Sequence, residues 1–304
     1  MTLRRLRLTA LTALAALSLS GCSLLDEGGP RTASTDDKPL VLTSFTVIAD
    51  MAREVAGDHV RVESITKPGA EVHGYEPTPH DIRNVAGAAL LLENGFALEG
   101  WFDQFTAGIP RVVLSEGIDP ILISVGDKAG APNPHAWMSP TAGQVYVANI
   151  ARAFGELVPE QAAEFTRRAD AYSAQIGEIG AGLRERLAGI PEEHRFLATC
   201  EGAFSYLARD AGLDEGYLWA VNQENEGTPQ QMADLIARVR ERGVPTVFCE
   251  STVSDKAQRE VAAATGARLA GPLFVDSLSD GPPVGSYLDL LRHDLDLIAD
   301  GLGS

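Results

Sequence analysis

Four side chains stand out by type and by setting: His73, His135, Glu201 and Asp276. His73 lies in Pro68-Gly69-Ala70-Glu71-Val72-His73-Gly74-Tyr75-Glu76-Pro77, and His135 in Pro132-Asn133-Pro134-His135-Ala136-Trp137. Proline restricts the backbone around each, and glycine permits the tight turns beside His73, so both imidazoles are presented on shaped loops. A neutral imidazole is the commonest side-chain ligand of metals. Either histidine alone reads more readily as a structural loop residue. Two framed alike, and both expected at one rim of one sheet, point to a site. Glu201 closes the apolar run Phe196–Cys200, and Asp276 follows Leu273-Phe274-Val275. Each acid alone is an ordinary cap or surface residue, and only the histidines raise it to a candidate. Imidazole nitrogen combined with carboxylate oxygen suits divalent first-row metals. His59, His80, His194 and His293 lack such framing and read as surface or satisfied groups, with His80 the best placed to support a ligand.

The segments that must position these residues alternate between strand and helix. In the first half, Leu40–Ser44, Val60–Ile65, Ala89–Leu92 and Arg111–Leu114 read as strands. Phe45–Ala56, Thr78–Ala88 and Thr141–Leu157 read as helices, the second with Thr78 as N-cap and Pro79 in its first turn. Apolar residues then recur at Ala162, Phe165, Ala169, Tyr172, Ile176, Ile179, Leu183 and Leu187, a helical stripe bounded by Pro159 and Pro191. It is single, so a rigid connecting helix is the better reading than a coiled-coil dimer, and a monomer is expected. Alternation resumes with strands at Phe196–Cys200, Tyr217–Trp219, Thr246–Cys249 and Arg268–Ala270. Helices end near Gly212 and Arg242, Thr228 caps the second of these, and a last helix spans Gly285–Asp300. The expected class is α/β: two lobes, each a parallel sheet flanked by helices, joined by one long rigid helix. In such sheets ligands sit beyond the carboxyl ends of the strands.

The 304 residues carry a formal charge of −17, which argues against nucleic acid as a partner. Arg4, Arg5 and Arg7 precede an apolar run from Leu8 to Leu19 and then Gly21-Cys22, the pattern of an export signal rather than a membrane span. Residues 1–22 are thus a leader whose ending resembles the bacterial lipobox, with Cys22 the residue to be lipidated. Residues 23–38 read as a flexible tether, 39–158 as the first lobe, 159–188 as the linking helix and 189–304 as the second lobe. An extracytoplasmic protein anchored to the cell membrane follows. Cys200 and Cys249 each precede a glutamate at the end of an apolar run; a disulfide and two buried thiols are both open to them.

Five segments carry a family resemblance: Glu71–Pro77, Asn133–Trp137, Thr199–Phe204, Glu224–Pro229 and Phe274–Ser277. They resemble, in order, the metal-specific solute-binding lipoproteins of bacterial ABC importers for manganese, zinc and iron (cluster A-I type). The resemblance implies two lobes clamping a metal, with His73 and His135 from the first and Glu201 and Asp276 from the second. It also implies a divalent metal as cargo, the transmembrane subunits of an ABC permease as partner, and no enzymatic activity. Two imidazoles with two carboxylates form a more oxygen-rich set than the three histidines of the zinc members. The stretch before His135 also lacks their long acidic, histidine-rich loop. Both points favour Mn(II), with Fe(II) next and Zn(II) as the alternative. The family pattern often has an acid where Asn133 stands, which weakens the expected support of His135. The competing class, a metal-dependent hydrolase using Glu201 or Glu250 as general base, requires an open coordination position and a substrate pocket. The sequence advertises neither.

Overall fold

The computed structural model describes residues 38–304 apart from 86, 103, 104 and 222–226. The leader with Cys22, residues 23–37 of the expected tether, and Glu224, Asn225 and Glu226 lie outside the described residues. The first half is built on a four-stranded parallel sheet in the order β2-β1-β3-β4. Its strands are β1 (Leu40–Thr43), β2 (Arg61–Ser64), β3 (Leu90–Glu93) and β4 (Arg111–Val113). The central pair, β1 and β3, is buried along its whole length, as continuous apolar runs in a parallel sheet require. Helices α1 (Thr46–Ala56) and α2 (Pro79–Val85) follow β1 and β2. At the start of α2, Thr78 and Asp81 cap each other: the Asp81 N–H donates to Thr78 Oγ1 at 3.3 Å and the Thr78 N–H to Asp81 Oδ2 at 2.7 Å.

Helix α3 (Pro140–Leu157) begins at Ser139, whose Oγ accepts from Thr141 N and Ala142 N. Helix α4 (Ala162–Ala188) runs for 27 residues, about 40 Å of axis. It buries Phe165, Ala169, Tyr172, Ile176, Gly180, Leu183 and Leu187, close to the predicted stripe. Gly180 joins that face because a Cβ there would lie 2.9 Å from Pro140 Cβ, so its absence lets α4 approach the start of α3.

The second half holds two parallel strand pairs. The first is β5 (Phe196–Glu201) with β6 (Asp214–Trp219), connected by α5 (Ser205–Ala211). The second is β7 (Thr246–Glu250) with β8 (Arg268–Leu273), connected by α7 (Lys256–Thr265), and α6 (Pro229–Arg242) lies between the pairs in sequence. Helix α8 (Tyr287–Leu302), capped by Ser286, packs beside α4 and β8. Among the described residues β5 and β7 share no ladder. The Gln258 amide of α7 instead donates to Ala198 O of β5 and Phe248 O of β7, at 3.1 and 2.9 Å. A disulfide between Cys200 and Cys249, Cα atoms 5.0 Å apart, joins the same two strands. That decides the question left open for these cysteines. The architecture is the two-lobed α/β arrangement expected, with helices on the faces of parallel strands.

Candidate metal centre

The four candidates arrive from four segments of chain. His73 sits in the loop between β2 and α2, and His135 in the turn entering α3. Glu201 is the last residue of β5, and Asp276 follows β8. His135, Glu201 and Asp276 are fully buried, and the His73 side chain is 7% exposed. One donor atom from each lies within 4.8 Å of all the others. His73 Nε2 is 3.0 Å from His135 Nε2, 3.4 Å from Glu201 Oε1 and 3.6 Å from Asp276 Oδ1, and His135 Nε2 is 3.3 Å from Glu201 Oε1. Donors bonded to one ion at about 2.1 Å stand about 3.4 Å apart in a tetrahedron and about 3.0 Å apart as octahedral neighbours. The spacing therefore matches a single small divalent cation. Burial disfavours a charged His73, but Glu201, Asp276 and Glu71 outweigh it and raise the imidazole to about 9. Burial likewise opposes ionisation of Asp276, yet the hydrogen bond and charge of His73 hold it below the usual carboxylate range. A cation entering here displaces that proton.

Each donor is backed by a polar neighbour. Asn133 Oδ1 accepts from His135 Nδ1 at 2.8 Å, which fixes the tautomer and aims Nε2 at the cluster. Glu71 accepts from the backbone N–H of His73 at 2.7 Å and of Gly74 at 3.0 Å, holding the loop closed. Thr252 donates to Asp276 Oδ2 at 3.2 Å. Glu250 accepts from the Glu201 N–H at 3.3 Å; burial, and then the charge of Glu201, holds its carboxyl well above the ordinary range. Cys200, Cys249 and Glu250 also converge, but their sulfurs are consumed in the disulfide. His80, expected as a supporting residue, is exposed on α2 and borders a different cavity with Asp50, Arg53 and Lys67. Asn133, Glu71 and Thr252 take that supporting role because their short side chains or loops face the donors. Thr252 carries no sequence signal, since only the fold brings the loop after β7 against Asp276.

Further bonds fasten the loops of one half to those of the other. The Trp137 indole donates to Val275 O at 3.1 Å, and the Tyr287 hydroxyl to Trp137 O at 2.6 Å. Ser277 Oγ accepts from Gly69 N at 2.7 Å, and Thr46 Oγ1 accepts from Leu278 N at 2.9 Å. Gly143 of α3 lacks a side chain where Tyr287 passes; a Cβ there would collide with the hydroxyl.

Buried imidazole and carboxylate groups gathered where the two α/β lobes meet make a closed binding site. Residues 41–301 match the family model described as "ZnuA: Zinc-uptake complex component A periplasmic". The chain belongs to this family of metal-uptake receptors of ABC transporters. It is 47% identical over 303 residues to the iron-binding protein YfeA of Yersinia pestis, covering 98% of this chain and 97% of that one. It is 30% identical over 300 residues to the manganese ABC transporter substrate-binding lipoprotein PsaA of Streptococcus anginosus, covering 95% and 96%. Among solved structures, the Mn-bound periplasmic metal-binding protein from Candidatus Liberibacter asiaticus superposes with a TM-score of 0.82. The two are 36% identical, over 87% of this chain and 100% of the other.

Proposed function

We propose that this extracytoplasmic receptor binds a divalent first-row metal through His73, His135, Glu201 and Asp276, with Mn(II) as favoured cargo, and delivers it to the transmembrane subunits of an ABC permease. The observation that carries this reading is the convergence of two imidazole and two carboxylate donors within 4.8 Å. Four protein ligands leave no reactive position of the kind a catalytic metal site keeps open. Carboxylates can bind through one or two oxygens and so extend the set toward the coordination numbers that Mn(II) accepts. Fe(II) is the second reading, supported by the iron-binding name of the 47% identical relative. Intrinsic affinity rises from Mn(II) through Fe(II) toward Zn(II), so the cargo depends on metal supply as well as on the donor set. Lipidation at Cys22 would hold the monomeric receptor at the membrane beside its permease. The division into lobes at 39–158 and 189–304, linked through 159–188, belongs to the same proposal and agrees with the packing of α4 against α1, α3 and α8.

Competition titrations of metal-free protein with Mn(II), Fe(II) and Zn(II) test the cargo. Removing a ligand by His73→Ala or Asp276→Ala is expected to abolish tight Mn(II) binding. Wild-type affinity in either variant would refute the site.

A further inference from the structure

We infer that Asn133 couples retention of the metal to apposition of the two lobes, acting as a positioning residue; this rests on the metal-receptor reading above. Asn133 is 3% exposed and uses its whole amide. Oδ1 accepts twice from the ligand-bearing turn of its own lobe, from His135 N at 3.0 Å and from His135 Nδ1 at 2.8 Å. Nδ2 donates twice across the cleft, to Gly202 O at 2.6 Å and to Ser205 Oγ at 3.2 Å. Gly202 directly follows Glu201, so one planar group spans ligand-bearing segments of both halves. The Ser205 hydroxyl donates in turn to Glu215 Oε2 at 2.6 Å, anchoring the far side on β6. The Tyr206 hydroxyl donates to Asn133 O at 2.8 Å and accepts from Ile121 N at 3.1 Å, securing the same junction.

The amide has only one workable orientation. Both groups of His135 are donors, so they require the oxygen, and the Gly202 carbonyl requires the NH2. When the lobes part, Nδ2 loses both partners and the amide keeps only its grip on His135. The lobe contact thus fixes the imidazole from behind, and opening frees it. An ionised aspartate is the diagnostic replacement. It is at least as good an acceptor for His135, yet it has no proton for Gly202 O and sets one oxygen against another. The two tasks of Asn133 are separated by that single exchange.

The test uses full-length protein loaded with Mn(II) alone, with release followed by stopped-flow mixing with a chelator and association measured separately. Asn133→Ala loses both tasks and is expected to bind about 10–100-fold more weakly. Asn133→Asp is expected to associate within about twofold of wild type and to release at least about tenfold faster, since both hydrogen bonds that Nδ2 donates across the cleft are lost. Release at the wild-type rate by a folded Asn133→Asp protein overturns the coupling, because orientation of His135 alone would be preserved or improved. Melting of the metal-free variant checks its folding. Should it not fold, Ser205→Ala removes one crossing partner while leaving His135 held, and about threefold faster release is expected; an unchanged rate there overturns the inference equally. His135→Ala separates the two levels. If it binds Mn(II) as wild type does, the site reading fails. If it loses Mn(II) while Asn133→Asp releases normally, only the coupling fails.

Discussion

Replacing Cys200 and Cys249 together by alanine is expected to lower the melting temperature of the metal-free protein by about 7 °C. The two cysteines are separated by 49 positions, and closing a loop of that length removes chain entropy from the unfolded state worth about 4 kcal/mol. A folded body of about 270 residues unfolds with roughly 0.6 kcal/mol per kelvin of entropy, which converts that energy into the stated shift. The location adds a second effect. Strands β5 and β7 share no ladder among the described residues and are held by the disulfide, by Gln258 and by Glu250. Glu201 immediately follows Cys200, so the lost cross-link loosens a proposed metal ligand as well. The assay is calorimetry of wild type, the double variant and reduced wild type, each with and without Mn(II). Saturation at a hundredfold excess over Kd restores about 2.7 kcal/mol by mass action alone. A shift below about 2 °C in the metal-free variant, with unchanged Mn(II) affinity, would show that the ordinary packing of the strands suffices and that the reasoning is wrong.

Three other expectations follow from the same geometry. Glu250→Gln is expected to keep Mn(II) affinity within about threefold, because burial and the neighbouring carboxylates already disfavour a charge on Glu250, whereas Glu201→Gln is expected to lose it; titration calorimetry distinguishes them. Asp50 accepts from Tyr287 N at 2.8 Å, and burial raises its carboxyl to about 6, with Glu54 adding to and Arg53 opposing the shift. A raised carboxyl contributes stability that is present below 3.8 and lost as pH climbs to about 6, here on the order of 2–3 kcal/mol. Asp50→Asn is expected to flatten the melting profile of the metal-free protein across that interval, and an unaltered slope would count against the assignment. Gly143→Ala places a methyl against the Tyr287 hydroxyl and is expected to destabilise by about 2 kcal/mol in denaturant titration.

The strand–helix alternation and the four donors are legible in the sequence because each leaves a local mark. The stripe of α4, the proline-framed histidines and the acids at strand ends are visible within a dozen residues. Thr228 is another such mark, bonding the Gln231 N–H at 3.2 Å while its own N–H donates to Gln231 Oε1 at 2.7 Å. What escapes a sequence reading is decided by partners far away along the chain. Asp214, Glu215 and Gly216 look like turn residues, yet they extend β6 because Phe196, Leu197 and Ala198 pair with them. Strand β8 runs on to Leu273, beyond the expected Ala270, through a register shift opposite Phe248 and Glu250. From its type alone, Asn133 is a weakened support for His135. Its amide instead holds that histidine and reaches across the cleft, which no local pattern encodes.

The delivery of four donors by four separate segments bears on how such a receptor changes over generations. His73, His135 and Asp276 lie outside the named strands and Glu201 is the last residue of β5, so a codon change at any one of them leaves nearly all of the sheet pairing in place. Relatives named for iron and for manganese, and a family described by zinc, share one outline. A scaffold that keeps its chemistry at the ends of its strands is free to keep its shape while its cargo drifts.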